Sequence, residues 1–164
     1  MNRKKNVDFE LEWVNHASYI IRHGKVALIT DPWLYGSAFD DGWDLLVESQ
    51  HDIEVFDEIT HIWFSHEHPD HFSTKVLFDI PEAKRKKITV LFQFTKDKRV
   101  VKFCKKLGFR VLELENKKTY EIGDQFKFTV GKMVGIDSWS LAEICNFKIL
   151  NVNDCVIDDA KTAQ

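Results

Sequence analysis

The first third of the chain has the alternation typical of short strands. Residues 7–14 carry apolar side chains at every odd position and acidic side chains at 8, 10 and 12, which predicts a strand with one face in water. The runs Ser18–Arg22 and Lys25–Asp31 flank His23 and Gly24, which indicates a hairpin. Residues 26–29 are all apolar, as expected for a strand covered on both faces.

Strands continue through the rest of the chain, with few helices between them. Ile59–Ser65 is predicted to be a buried strand that leads directly into a histidine-rich segment. Residues 36–50 are predicted to be irregular or partly helical. Lys96–Leu107 has helical spacing of its apolar residues, and Gly108 fits the position after a helix end. Further strands are predicted at Lys87–Phe94, Arg110–Leu114, Gln125–Met133 and Phe147–Val152. The pattern favours one layered α/β domain over residues 1–164.

Composition and net charge limit the classes of function that we expect for this protein. The 164 residues are 44% hydrophobic and 30% charged, which is typical of a soluble globular protein. The net charge of −3 gives no electrostatic case for binding nucleic acid or an acidic membrane. The three cysteines lack CxxC spacing, and we find neither a signal peptide nor an apolar run of membrane-spanning length. We therefore expect a cytoplasmic protein that acts on a small molecule, and the sequence does not specify its oligomeric state.

Residues 66–71 read His-Glu-His-Pro-Asp-His and carry the candidate chemistry. In an extended backbone the side chains of His66 and His68 project the same way, so both can bind one metal ion. Pro69 turns the chain, so that Asp70 and His71 can reach a second ion. Imidazole and carboxylate ligands suit zinc, iron and manganese. An accidental surface cluster is the alternative, but a buried strand leading into four candidate ligands favours a metal site.

The same segment resembles the H-x-H-x-D-H signature of the metallo-β-lactamase superfamily. Residues 15–18, 31–34, 36–39 and 42–44 are similar to the branch that contains CMP-sialic acid hydroxylase. The resemblance runs over 7–154, and it implies a four-layer αββα sandwich with the metals at one edge. We expect this sandwich to be incomplete at its C-terminal end.

The resemblance also implies roles for individual residues. His66 and His68 would bind the first metal, Asp70 and His71 the second, and Asp154 would bridge the two ions. Asp70 or Asp154 would orient or relay a proton during catalysis. Asp31 would hold the metal loop from behind the ligands. His16, which lies between two predicted strands, is expected either to contact substrate over the metal cleft or to be a hydrogen-bonded loop histidine.

Two departures from the family pattern leave the function open. The last histidine is His71, whereas the family supplies one further histidine before the bridging acid and one after it. Asp137 can replace the first of these, or be a loop acid or helix cap. No Rieske motif is present, so this chain alone is not expected to run the oxygenase chemistry of that branch.

Three functions fit these observations. The first is a hydrolase in which two divalent ions, zinc or alternatively iron or manganese, hold a bridging hydroxide. The second is a metal-binding module without turnover. The third is the metal-binding portion of a longer protein that resembles the sialic acid hydroxylase.

Overall fold

The computed structural model describes residues 9–157, which form two sheets and one helical layer. The first sheet has six strands in sequential order. The first two pairs are antiparallel and the remaining three are parallel. The strands are β1 (Phe9–Asn15), β2 (Ser18–His23), β3 (Val26–Thr30), β4 (His61–Phe64), β5 (Thr89–Gln93) and β6 (Arg110–Leu114).

The second sheet is an antiparallel meander that packs face to face on the first. Its four strands follow the order β10, β9, β8, β7. Trp63 of the first sheet is fully buried, and its ring meets Phe128 edge-on with 5.9 Å between centroids. The strands are β7 (Thr119–Gly123), β8 (Phe126–Lys132), β9 (Ser138–Ile144) and β10 (Phe147–Asn151).

The helical layer covers the other face of the first sheet. It consists of α1 (Thr74–Asp79), α2 (Glu82–Arg85), α3 (Arg99–Lys106) and a 3-10 turn at Ile53–Asp57. Because successive residues of a strand point to opposite faces, Ile62 and Phe64 meet the helices while Trp63 meets the second sheet. Burial of each such side chain contributes roughly 1.5–3 kcal/mol. The mixed α/β architecture of the sequence analysis is confirmed.

The described residues form three of the four predicted layers, namely the two sheets and one layer of helices. In this part of the chain, α1, α3 and the 3-10 turn pack on the first sheet, and no helix residue belongs to the core cluster of the second sheet. The structure adds elements that the sequence analysis did not predict, namely α1, α2, β7 and β9. Residues 36–50 contain no helix, only an isolated bridge between Ala38 and Trp43. The described residues include no helix long and apolar enough to cross a membrane.

The buried face of β1 is not the face that the sequence predicts. Its alternation led us to expect the odd-numbered side chains in the core, but Leu11 is 48% and Trp13 is 56% exposed. The reason is that β1 is an edge strand beside an open cleft between the sheets, which Leu11 lines. Val7 and Asp8, the first two residues of the predicted strand, lie outside the described residues.

Candidate metal centre

The parallel strands β3 and β4 end side by side and place the first residues of the site. Asp31 follows β3 with a φ of +38°, and its backbone amide donates to the carbonyl of Trp63 at 2.9 Å. Its side-chain Oδ1 accepts the backbone N–H of Ser65 at 2.8 Å. Asp31 is fully buried, as is His66. Two strand ends are thus joined at the point where the histidine-rich segment begins.

A tight turn then returns the chain to His66. The backbone amides of His71 and Phe72 both donate to the carbonyl of His68, at 3.0 and 2.7 Å. As a result the rings of His66 and His71 lie 4.3 Å apart between centroids. Pro69 lies within this turn, as the sequence analysis expected. Glu67 points away from the cluster, with its Oε1 3.3 Å from a terminal nitrogen of Arg99.

His66, His68 and Asp154 form the first group of potential ligands. His66 Nε2 lies 2.9 Å from His68 Nδ1 and 3.8 Å from Asp154 Oδ2. One ligand atom from each residue falls within 4.8 Å of the others. His68 and Asp154 are exposed while His66 is buried, so the group is open to solvent on one side.

Asp70, His71 and His16 form a second group beside the first. Asp70 Oδ2 lies 3.3 Å from His71 Nε2 and 3.1 Å from His16 Nε2. These three atoms again fall within 4.8 Å of one another. Asp154 Oδ2 is 3.3 Å from His71 Nε2, so this oxygen lies near the ligand atoms of both groups. The structure therefore brings together all five predicted ligands, with His16 beside them.

Asp31 supports the second group from behind. Its Oδ2 lies 3.2 Å from His71 Nδ1, and Asn153 donates a side-chain N–H to the same oxygen. This contact turns the other ring nitrogen of His71 toward Asp70 and Asp154. The arrangement is the one in which a buried carboxylate orients a metal-binding imidazole.

The environments of His66 and His71 move their pKa values in opposite directions. Burial lowers the pKa of His66, and the charge of His71 acts in the same direction. Burial by itself would also lower the pKa of His71, but the hydrogen bond with Asp31 and the charges of Asp31, Asp70 and Asp154 together raise it. His66 is therefore kept as a neutral imidazole, which is the form that binds metal.

Two observations support the fit of metal ions to these residues. Among the described residues, Asp70 Oδ1 and His71 Nε2 are buried side-chain atoms without a hydrogen-bond partner. Such atoms are costly to bury unless a partner satisfies them. In addition, ligands on one tetrahedral zinc lie about 3.3–3.4 Å apart, because each is ~2.0–2.1 Å from the ion. The 3.1–3.3 Å separations from Asp70 Oδ2 to the two imidazole nitrogens are close to this spacing.

Asp137 lies near the site but on the far side of an imidazole. Its Oδ1 is 3.6 Å from His66 Nδ1, whereas His68 and Asp154 face Nε2 of the same ring. Ser65 Oγ also contacts Nδ1, at 2.9 Å. In this arrangement Asp137 is placed to orient His66 rather than to replace the absent histidine ligand.

The sequence analysis missed two contributors to the site. Ser65 was assigned only to a strand, yet its hydroxyl contacts His66. Asn153 was assigned no role, yet it hydrogen-bonds Asp31. Short polar residues directly beside predicted ligands are the signal that could have identified both.

A cleft of about 550 Å³ opens between the two sheets beside the metal centre. His16 and Asp154 line its end near the metal centre, and Leu11, Ile21 and Ile149 are among the apolar side chains that line the remainder. A volume of this size is within the range of small-molecule sites.

Comparisons with known proteins find relatives of this chain. The cytidine monophosphate-N-acetylneuraminic acid hydroxylase of Xenopus laevis is 29% identical over 156 residues, which are 90% of this chain and 26% of that protein. A UPF0173 metal-dependent hydrolase of Ruegeria pomeroyi is 37% identical over 82 residues, 50% of this chain and 31% of that protein. The chain thus spans about a quarter to a third of the curated relatives it matches.

Solved structures share the fold at lower sequence identity. A possible metal-dependent hydrolase from Veillonella parvula has a TM-score of 0.70 at 15% identity, covering 93% of this chain and 64% of that one. The diiron β-hydroxylase CmlA from Streptomyces venezuelae has a TM-score of 0.68 at 19% identity, covering 97% of this chain and 32% of that one. The family model described as "Beta-lactamase superfamily domain" matches residues 10–151. The chain belongs to the metallo-β-lactamase superfamily.

Proposed function

We propose that the protein is a metal-dependent hydrolase that acts on a small molecule through two divalent metal ions. The observation that carries this proposal is the shared position of Asp154 Oδ2, which lies 3.8 Å from His66 Nε2 in one ligand group and 3.3 Å from His71 Nε2 in the other. A carboxylate between two imidazole clusters is suited to bridging a pair of ions. Zinc is our first expectation, with iron or manganese as alternatives, because imidazole and carboxylate ligands suit all three.

When bound, two such ions would activate a water molecule and polarise a carbonyl or phosphoryl oxygen. The side chains of this protein would position the groups that exchange protons. Asp70 Oδ1 is buried and, within residues 9–157, has no hydrogen-bond partner, so it can accept a proton from a nucleophile held beside it. Asp154 is half exposed at its side chain and can exchange a proton with solvent. These two carboxylates are the proposed catalytic residues.

The substrate would enter through the cleft between the sheets. The half-buried Ile149 lines the cleft together with His16 and Asp154, so a substrate lying in it would contact residues of the metal centre. Its lining combines apolar side chains with a few polar groups at one end, as is common in small-molecule sites. The relatives named as metal-dependent hydrolases support this class of reaction, and the diiron hydroxylase makes oxidation the competing class.

Metal analysis combined with hydrolysis assays tests the proposal. We expect two ions per chain and turnover of a generic phosphodiester or lactone, with turnover lost in His68→Ala. Glu67→Gln is the matched control, because Glu67 belongs to the same motif but pairs with Arg99 and should retain metal and activity. Stoichiometric metal without turnover of any such ester would instead support a binding module, and absence of bound metal would contradict both functions.

A further inference from the structure

Without His16, the second ligand group has two residues of its own, and its third candidate, Asp154, is shared with the first group. A catalytic zinc ion usually has three protein ligands and an open position for water or substrate. The first group supplies His66, His68 and Asp154. The second supplies only Asp70 and His71 from the motif, and no histidine follows position 71 in the sequence. Among the described residues, the further candidates beside Asp70 and His71 are His16 and the shared carboxylate of Asp154.

We propose that His16 is a direct ligand of the second metal ion. His16 Nε2 lies 3.1 Å from Asp70 Oδ2, and one ligand atom each from His16, Asp70 and His71 falls within 4.8 Å of the others. The His16 and His71 rings are 5.5 Å apart between centroids. This inference rests on the proposed function, and it replaces the predicted substrate contact of His16 with a role in binding metal.

The turn that carries His16 is fixed to the strand end that carries Asp31. Asn15 donates its side-chain N–H to the carbonyl of Trp33 at 2.8 Å, and Ser18 donates its hydroxyl to the carbonyl of Asp31. Trp13 donates its indole N–H to the carbonyl of His16 at 3.2 Å. Because Asp31 also holds His71, the imidazoles of the second group are positioned by one connected set of hydrogen bonds.

The backbone and exposure of His16 also fit a ligand. Its φ of +39° lies in the left-handed region, which is uncommon for a residue other than glycine and is found more often at functional sites. The ring packs edge-on against Trp33, with 5.4 Å between centroids, which limits its rotation. Its side chain is 35% exposed, so an ion can reach the group from solvent.

The alternative role for His16 is to hydrogen-bond Asp70 without touching metal. In that role Nε2 would carry a proton that it donates to Asp70 Oδ2. As a ligand, Nε2 would instead have no proton and Nδ1 would carry it. The two roles therefore predict opposite tautomers of His16 when metal is present.

Metal titration of three variants separates these roles. We expect wild type to bind two Zn²⁺ ions, measured by competition with a chromophoric chelator. His16→Ala should retain one tight ion and bind the other at least about tenfold more weakly, since even the loss of a supporting residue costs roughly 10–100-fold in affinity. His68→Ala should weaken the other ion instead. His51→Ala is the control, because His51 pairs with Glu12 and joins neither ligand group.

A spectroscopic readout on wild type makes the test independent of variant folding. In the long-range ¹H–¹⁵N spectrum, Zn²⁺ should shift the Nε2 resonance of His16 to the metal-bound range and leave the proton on Nδ1. A proton retained on Nε2 in the zinc-loaded protein would overturn the assignment, as would both ions bound by His16→Ala at wild-type affinity. A single ion that is lost in His68→Ala but kept in His16→Ala would also overturn it while leaving a metal-dependent function. Absence of any bound ion in wild type would overturn the proposed function itself.

Discussion

His71 Nδ1 lies 3.2 Å from Asp31 Oδ2, and both side chains are almost completely buried. This contact links the end of β3 to the metal-binding turn that follows β4. The other oxygen of Asp31 accepts the Ser65 backbone N–H, so one carboxylate fixes both the backbone before the motif and the last imidazole within it. Asp31 is therefore placed to stabilise the fold and to orient a proposed metal ligand at the same time.

Replacing Asp31 with asparagine should weaken both metal binding and the fold. Asparagine keeps an oxygen for the Ser65 N–H and tolerates the left-handed backbone at this position, but it removes the charge that orients His71. We expect zinc affinity to fall roughly 10–100-fold and the free energy of unfolding of the metal-free protein to fall by about 1–3 kcal/mol. Zinc competition and urea unfolding measure the two effects.

Asp31→Ala provides the comparison for this prediction. It also leaves the Ser65 backbone N–H without its acceptor, so metal-free Asp31→Ala should be less stable than metal-free Asp31→Asn. Equal zinc affinity in wild type and Asp31→Asn would show that the carboxylate does not act through His71.

Most of the proposed metal ligands could be brought together from the sequence because they lie close to one another along the chain. Four of them fall within 66–71, and the end of a buried strand fixes where such a segment lies. Asp154 is 83 residues from His71 in sequence, and its placement depended on resemblance to the family. Ser65 and Asn153 each adjoin a predicted ligand in sequence, but the contact of Asn153 with Asp31 joins residues 122 positions apart, and its geometry cannot be predicted from spacing.

The fold was predictable where hydrophobic residues mark the buried face. The fully apolar run of β3 is buried at every position. In β9 the pattern is inverted. The buried positions include the small residues Ser138, Ser140 and Ala142. The larger Trp139 and Leu141 lie on the less buried face. Small buried residues allow the sheets to approach closely, but they do not mark a strand in the sequence. The strand was missed for this reason.

Asp137 should not be required for metal stoichiometry. Its carboxylate faces His66 Nδ1, away from the ring nitrogen beside Asp154. Neighbouring side chains hold this loop, since Gln93 donates to the carbonyl of Ile136 and Ser138 donates to the carbonyl of Ser65. We expect Asp137→Ala to bind two ions by metal analysis, with at most a modest loss of affinity. Loss of one whole ion would instead identify Asp137 as a ligand.

Gly131 should not tolerate even a methyl group. It lies directly opposite Trp139 in the β8–β9 pair, and a Cβ built on it would lie 1.9 Å from Cε2 of the indole. The indole must therefore move, and overpacking of this kind costs about 1–3 kcal/mol. Thermal unfolding of Gly131→Ala should show this loss.

A double-mutant cycle isolates the cause of that loss. In a Trp139→Ala background the steric conflict is absent, so adding Gly131→Ala should cost much less than it does in wild type. An equal cost in both backgrounds would assign the effect to the backbone rather than to the contact with Trp139.

Glu12 should make the stability of the first hairpin depend on pH in the acidic range. Its carboxylate lies 2.6 Å from an Arg22 guanidinium nitrogen and 2.7 Å from His51 Nε2. The hydrogen bond from Arg22, followed by that from His51, lowers the pKa of Glu12 below its ordinary value. A carboxyl group with a lowered pKa in the folded state stabilises the protein above its unfolded pKa, and this contribution is lost as the pH falls through the folded value.

The Glu12→Gln substitution should therefore destabilise the protein at pH 7 and destabilise it less at about pH 3. The Glu12 side chain is 33% exposed, so solvent screens the interaction and we expect a loss of roughly 0.2–1 kcal/mol at pH 7. Urea unfolding of the metal-free protein at both pH values measures it. Glu10→Gln is the matched control, because Glu10 is 64% exposed and lies farther from Arg22, at 3.6 Å. A loss for Glu12→Gln that is as large at pH 3 as at pH 7 would mean that packing, and not charge, is the source of the stability.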